Sequence, residues 1–348
     1  AAAASIYGSK AAAGVILITT KRGAKEQIHL SYNGEVGWEF PTMQPEMVGM
    51  TRYMEMYNEM LYNDNPAAGF FQQFSADQVK NWLEYNRTDP NHYPVTDWTG
   101  LIMKSSALKH NHNISIGGGS ERVRTQASLS YDDVEGLYGN REFQRFMFRA
   151  NNDFTIVQDK LLATLDVNIR RAKNTSPNFS PFDMMRKMPA IYAAVWDDGR
   201  IAEGKSGANP YGLLTEGGTS YAWSTQLGGR ASLEYKPVKG LSLKGVVAPF
   251  INYTKSKAFK PAVAYTLADD PNTIGGYLDS GSIWSTNSLS ETRNDNWNLT
   301  SQFIINYMRS FGRNENHNLN IMAGYEGYIM KSETLPAATI SSSRSIPI

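Results

Sequence analysis

Along much of the chain, apolar and polar residues alternate one by one. Between Lys160 and Arg170, the residues Leu161, Ala163, Leu165, Val167 and Ile169 share one parity, and Thr164, Asp166, Asn168 and Arg170 share the other. Successive side chains of an extended strand point to opposite faces, so this segment predicts a strand with one apolar and one polar side. The pattern returns at 123–132, 227–236, 297–306 and 319–328, and more weakly at 28–38, 110–117, 146–154 and 241–253. About nine strands follow, several close to the ~9–11 residues with which a tilted strand crosses a bilayer. A soluble sandwich also has one wet and one dry face, so alternation by itself leaves both readings open.

The connections separate them. After the first strand comes a long segment (39–109), then a short turn at 118–121, a medium connection at 133–142 and a short turn at 158–160. A second long segment (172–220) precedes the tight turn 237–240, and a third (256–295) precedes a shorter turn at 312–316. Longer and shorter connections alternate, as they do in outer-membrane barrels, which have short periplasmic turns and long extracellular loops. Trp38, Phe40, Tyr131, Phe154, Tyr235, Trp297 and Tyr307 lie near strand ends, where such barrels carry aromatic girdles. The expected fold is therefore all-β: an antiparallel transmembrane β-barrel, incomplete at about nine strands, with short helices in its first extracellular loop.

Those helices are expected at 46–61, with Met47, Met50, Met54 and Tyr57 on one face, and at 76–85, where Ser75 and Gln78 have capping-box spacing. They are expected to pack on each other, and a partner lid is the alternative.

Composition narrows the chemistry. The 348 residues contain no cysteine, which removes disulfides, thiolate nucleophiles and Cys-ligated zinc. A net charge of +1 gives no electrostatic reason to expect nucleic acid. No run approaches the ~18 apolar residues of a membrane helix. His110 and His112 share a strand face, but no third ligand lies near them in sequence, so no metal is expected. Gly117 to Gly119 precede no helix and read as a turn rather than a phosphate cradle. No nucleophile motif and no cofactor fingerprint is present, and the chain does not read as an enzyme.

The segment Ser5–Ile6–Tyr7–Gly8–Ser9–Lys10, continuing through Gly14 and a β-branched run to Lys21–Arg22–Gly23, predicts a compact helix–turn–strand unit. It resembles the end of the plug domain in TonB-dependent outer-membrane transporters of the SusC/RagA type. The matching positions include Ile6, Tyr7, Gly8, Gly14, Lys21 and Gly23; Ala13 departs from the Asn often found there. Ser31–Tyr32–Asn33–Gly34 resembles that family's first barrel strand. Residues 93–98 with 110–124 resemble its second and third, and Glu135–Gly136 with Phe143, Arg145 and Phe146 its next hairpin. The resemblance covers most of residues 1–170 and is general beyond them.

It implies that 1–24 is the tail of a plug and 25–348 the N-terminal part of a barrel of about 22 strands. The rest of the plug and the TonB-contacting segment would lie upstream, and the remaining strands downstream. The implied function is energy-coupled import of oligosaccharides or peptides through the outer membrane of a Gram-negative bacterium. The implied partners are a SusD-like surface lipoprotein acting as lid, TonB, and outer-membrane lipid. No bond would be made or broken. A passive porin-like channel and a soluble β-rich glycan-binding protein are the alternatives. Substrate contacts are expected from loop aromatics and carboxylates: Tyr192, Trp196, Asp197 and Asp198 together, with Trp223 and Trp284 in or beside other long loops.

Overall fold

The computed structural model describes residues 21–25, 27–42, 46–278, 286–311 and 317–341. Nine strands form one antiparallel sheet: β1 (His29–Glu39), β2 (Ala107–Gly119), β3 (Val123–Glu135), β4 (Glu142–Val157), β5 (Leu161–Pro177), β6 (Thr219–Tyr235), β7 (Leu241–Lys260), β10 (Asn287–Phe311) and β11 (His317–Ser341). Their order in the sheet is their order in the chain. The one interruption is a small separate hairpin, β8 (Ala264–Thr266) with β9 (Ile274–Tyr277), inside the connection between β7 and β10. Among the described residues the sheet does not close; β1 and β11 are its edges.

Each expected strand is present, and the connections alternate as expected. The short turns at 120–122, 158–160 and 236–240 lie at one end of the sheet. The connections 40–106, 136–141, 178–218 and 261–286 lie at the other. Two of the tight turns need a residue that tolerates a left-handed backbone. Asp159 sits at φ 57 and Gly240 at φ 89. A Cβ on Gly240 would also stand 2.2 Å from the Met308 carbonyl oxygen, so only glycine fits there.

The two faces of the sheet differ in kind. On one, Leu165, Val247 and Phe303 are 44%, 47% and 48% exposed. On the other, Ser130, Asn151 and Ser232 are 8%, 5% and 7% exposed. The apolar side chains thus point outward and the polar ones are sheltered, the reverse of a water-soluble sandwich and the arrangement of a barrel wall. The outward apolar band runs from Leu161 to Ile169 on β5, from Leu241 to Ile251 on β7 and from Trp297 to Tyr307 on β10. Such spans match the ~9–11 residues of a tilted membrane strand. Phe154, Tyr235 and Tyr307 border the band near the short-turn end, and Trp38, Tyr131 and Trp297 border it towards the other.

The strands continue well past the band. β5 runs to Pro177, β6 begins at Thr219, β7 reaches Lys260, and β10 and β11 each span 25 residues. All these extensions lie on the long-connection side.

Above them the long connections fold together into a cap with its own core. It holds α1 (Met50–Asp64), α2 (Ala76–Thr88), α3 (Trp98–Ile102), α4 (Pro181–Met185) and α5 (Pro210–Glu216). The capping box of α2 forms as its spacing predicted, with Ser75 Oγ accepting from the Gln78 amide and Gln78 accepting from the Ser75 amide. The first two helices do pack on each other, through Met54 and Trp82, but Ile191 from the 178–218 connection completes that cluster. Two further clusters join the connections: Trp98 and Ile102 with Met185, Met188, Ala194 and Leu214, and Leu213 with Val263 and Leu278.

Candidate functional site

Before β1 the chain crosses the polar inner face of the sheet. Arg22 donates two hydrogen bonds to the Asp166 carboxylate of β5, at 2.5 and 2.8 Å, and a third to Asp153 of β4 at 3.2 Å. The pairing with Asp166 is bidentate, the geometry in which a guanidinium fixes both position and orientation. Arg230 of β6 also approaches Asp166, at 3.8 Å from the oxygen that Arg22 Nη2 bonds. Asn151 holds the Lys21 carbonyl at 2.9 Å, and Lys25 pairs with Glu121 in the first short turn. Gly23 lies flat on β3: a Cβ there would stand 2.6 Å from both the amide nitrogen and the carbonyl oxygen of Thr125. The Thr125 side chain bonds Asn152 on the outward parity, which leaves bare backbone inside for Gly23 to rest against. Lys21 and Gly23 therefore have defined places. Ile6, Tyr7, Gly8 and Gly14 lie outside the described residues.

The rest of the inner face is polar and paired across strands. Asp132 accepts from Arg145 at 2.7 Å and also from Asn111. Asn113 donates to Ser130 at 2.6 Å, and Thr164 meets Ser232 at 2.7 Å. Such cross-strand bonds satisfy side chains that the wall shelters from bulk water.

On the cap, four of the six expected contact residues come together and play different parts. Tyr192 is half-buried between two of the core clusters, beside Tyr53; burial first, then the neighbouring hydroxyls, push the Tyr53 phenol up to about 12. Trp196 donates through its ring nitrogen to the Thr266 carbonyl at 2.8 Å, tying the 178–218 connection to β8. Asp197 and Asp198 are exposed. Asp197 exchanges two hydrogen bonds with Asn91 of the first connection, both 2.9 Å. Asp198 is held below the usual carboxylate range by the Arg200 side chain, 2.5 Å away. Arg200 reaches onward to the Thr266 hydroxyl, 2.5 Å, and the Leu267 carbonyl, 2.9 Å. Trp223 stands apart, on the outward face of β6, stacked on Tyr221 with ring centroids 5.7 Å apart. Trp284 lies outside the described residues.

Sequence spacing did not reveal the His92 clasp. His92 places Nδ1 3.0 Å from Asp89 and Nε2 3.1 Å from Asp269, bridging the first and last long connections. Both neighbours are carboxylates, so both ring nitrogens donate and the ring is favoured as imidazolium. Its pKa is raised above 6.5, first by the Asp89 hydrogen bond and then by Asp269. The clasp is therefore complete below 6.5 and is lost as pH rises through the raised value. Protection of residues 266–270 against hydrogen exchange, corrected for the intrinsic amide rate at each pH, should fall over that rise, and His92→Gln should make it pH-independent. Corrected protection that stays constant with pH in the unaltered chain would contradict the clasp.

His110 and His112 contact aromatic neighbours. His112 Nδ1 lies 2.7 Å from the Tyr32 hydroxyl, and the His110 ring packs against His112 and Tyr131 on the outward face. Among the described residues no cluster of three or more His, Asp or Glu side chains could hold an ion.

No family model matches the chain. Among curated proteins it is 25% identical over 331 residues to TonB-dependent receptor P26 of Formosa agariphila, covering 93% of this chain and 30% of that protein. It is 28% identical over 175 residues to TonB-dependent receptor SusC of Bacteroides thetaiotaomicron, covering 50% of this chain and 15% of that one. These curated relatives are TonB-dependent receptors, SusC among them. In fold it matches the RagAB peptide transporter with a TM-score of 0.73, at 20% identity, over 99% of this chain and 39% of that chain. The chain thus spans 30% of the length of P26, 15% of SusC and 39% of the RagAB chain. As in TonB-dependent receptors generally, its place is the outer membrane of a Gram-negative bacterium, as a segment of an antiparallel barrel wall. The apolar outward face is then its lipid-facing surface and the polar face its lumen.

Proposed function

We propose that this chain is part of a transporter that imports large nutrients, oligosaccharides or peptides, across the outer membrane with energy delivered by TonB. The observation that carries the reading is the segment 21–25 clamped on the lumenal face by Arg22, Asp153 and Asp166. A passive channel has no use for a strand of chain fixed across its interior. A gated transporter needs one, because whatever fills the lumen must be tethered while it is displaced. In this reading residues 1–24 are the tail of the plug and 25–348 the start of the barrel, and TonB engages a segment outside this chain.

The cap supplies the capture surface. Its core is shared by the long connections, so the exposed groups around Asp197, Asp198 and Asn91 are held on a firm platform. A SusD-like lipoprotein would close over that platform as a lid, with Trp196 and the two carboxylates at the contact with substrate. The chemistry is binding and displacement only; the relatives are named as receptors, and the reading assigns no bond-making step to these residues.

The test is uptake by whole cells carrying the full-length polypeptide. Accumulation of a labelled oligosaccharide or peptide should stop when the proton gradient is collapsed, and a surface lipoprotein should co-purify after detergent extraction. Uptake that ignores the gradient would return the passive channel. Recovery of the polypeptide without detergent would return the soluble glycan-binding protein.

A further inference from the structure

On each of three strands, the outward face changes from apolar to charged within a residue or two of the band, and on two of them, β5 and β7, every charge is positive. On β5, Ile169 is followed on the same face by Arg171 and Lys173. On β7, Ile251 and Tyr253 are followed by Lys255 and Lys257. On β10, reading upward, Trp297 is followed by Asp295, Arg293 and Glu291. Between the β5 and β7 cations, β6 presents Trp223 and Tyr221, whose rings stack at 22°. Lys173 lies 5.4 Å from the centre of the Tyr221 ring, and Lys255 5.8 Å from that of Trp223. The flat aromatic pair is thus flanked by ammonium groups on both sides.

Five positive side chains here face two carboxylates, in a chain whose net charge is +1. Glu291 is shared by three of them: Lys255 and Lys257 at 3.7 Å and Arg293 at 3.9 Å. Those separations exceed hydrogen-bond length, so one carboxylate cannot satisfy the donors that surround it. Among the described residues neither Arg171 nor Lys173 enters an ion pair. Ordinary solvated surface charge would be scattered and mixed in sign. This group is of one dominant sign, sits at the edge of a lipid-facing band, and encloses an amphipathic aromatic pair of the kind that rests at headgroup level.

We propose that this patch, centred on Lys173, Lys255 and Lys257, binds the phosphate of a lipid headgroup in the leaflet on the long-connection side. The lipid's chains would lie along the apolar band and its phosphate oxygens would accept from the three ammonium groups, with Tyr221 and Trp223 packed beneath. The inference rests on the reading of this sheet as a membrane-spanning wall.

The full-length polypeptide, extracted in neutral detergent and shown to be folded by its heat-modifiable mobility on gels, is mixed with phosphatidic acid or phosphatidylcholine. Retained lipid is then counted by native mass spectrometry. The unaltered protein should retain phosphatidic acid in preference to phosphatidylcholine, and excess inorganic phosphate should not displace it. The triple variant Lys173→Gln, Lys255→Gln, Lys257→Gln should bind phosphatidic acid on the order of a hundredfold more weakly, while the three Lys→Arg changes keep it. Equal retention by the Gln variant, equal retention of both lipids, or displacement by inorganic phosphate would overturn the proposal and leave the barrel standing. A polypeptide that needs no detergent would remove the membrane reading itself and this inference with it.

Discussion

Replacing Trp98 by alanine should leave the nine-stranded sheet intact and loosen the cap above it. Trp98 is 3% exposed and sits where two connections meet: it packs with Ile102 from its own helix, α3, and with Met185, Met188, Ala194 and Leu214 from the 178–218 connection. Its ring nitrogen donates to the Pro189 carbonyl at 3.0 Å. Truncation removes the largest side chain of that cluster and orphans a carbonyl. Losses of about 3–5 kcal/mol are usual for a buried tryptophan. The cap connections are tied to each other more than to the wall, so the loss should fall on local rather than global unfolding. Hydrogen exchange and limited proteolysis of the detergent-solubilised polypeptide should show residues 185–194 unprotected and β5 to β7 unchanged. Trp98→Phe, which keeps most of the packing, should fall between. Equal protection of 185–194 in the alanine variant would mean that the cap is held elsewhere.

Asp166→Ala should release the segment before β1 from the lumenal face. The carboxylate takes two short hydrogen bonds from Arg22 and lies 3.8 Å from Arg230. Without it the two guanidinium groups face each other and only Asp153 remains for Arg22. Breaking a fully buried pair costs about 3–5 kcal/mol. Here the Arg22 and Asp166 side chains keep 31% and 19% of their exposure, so screening lowers the expectation to about 2 kcal/mol. The natural stretch has no cysteine, so a Lys21→Cys reporter adds a thiol without a neighbour of its kind. Its labelling by a membrane-impermeant maleimide should rise roughly thirtyfold on top of Asp166→Ala, in line with a loss of ~2 kcal/mol. It should not rise on top of Asp295→Ala, a carboxylate on the outward face. An unchanged rate would show that Asn151, Lys25 and the fit of Gly23 suffice without the ion pair.

Parts of the site were legible from residue order and parts were not. The twenty-residue motif singled out Lys21 and Gly23; on the inner face the Lys21 backbone carbonyl accepts from Asn151 and Gly23 lies against the Thr125 backbone. Nothing in the sequence showed that Arg22, between them, would meet Asp153 and Asp166, because those carboxylates are 131 and 144 residues away. Alternation placed Asp166 on the polar face but gave it no partner. The aromatic–acidic cluster at 192–198 was visible as a composition, yet its members divide between support and surface: Tyr192 and Trp196 hold the cap together, while Asp197 and Asp198 face outward. Trp223 was chosen for standing beside a long loop. It belongs to β6, whose parity turns it towards the outside of the wall, and parity cannot be counted where the alternation of polarity has stopped.

That last point divides what residue order determines here from what the folded chain decides. Period-two polarity fixed which stretches are strands, which face each presents and how the connections alternate, because a lipid-facing strand must be apolar on every second residue. The signal marks the lipid, however, and not the strand. Above the band both faces meet water, and so β5, β6, β7, β10 and β11 run on with no alternation to announce them. The cap core, the His92 clasp, the Arg22 clamp and the cationic patch all join residues far apart in the chain. Their partners are chosen by strand register and by packing between connections, and those come into being only when the wall is assembled.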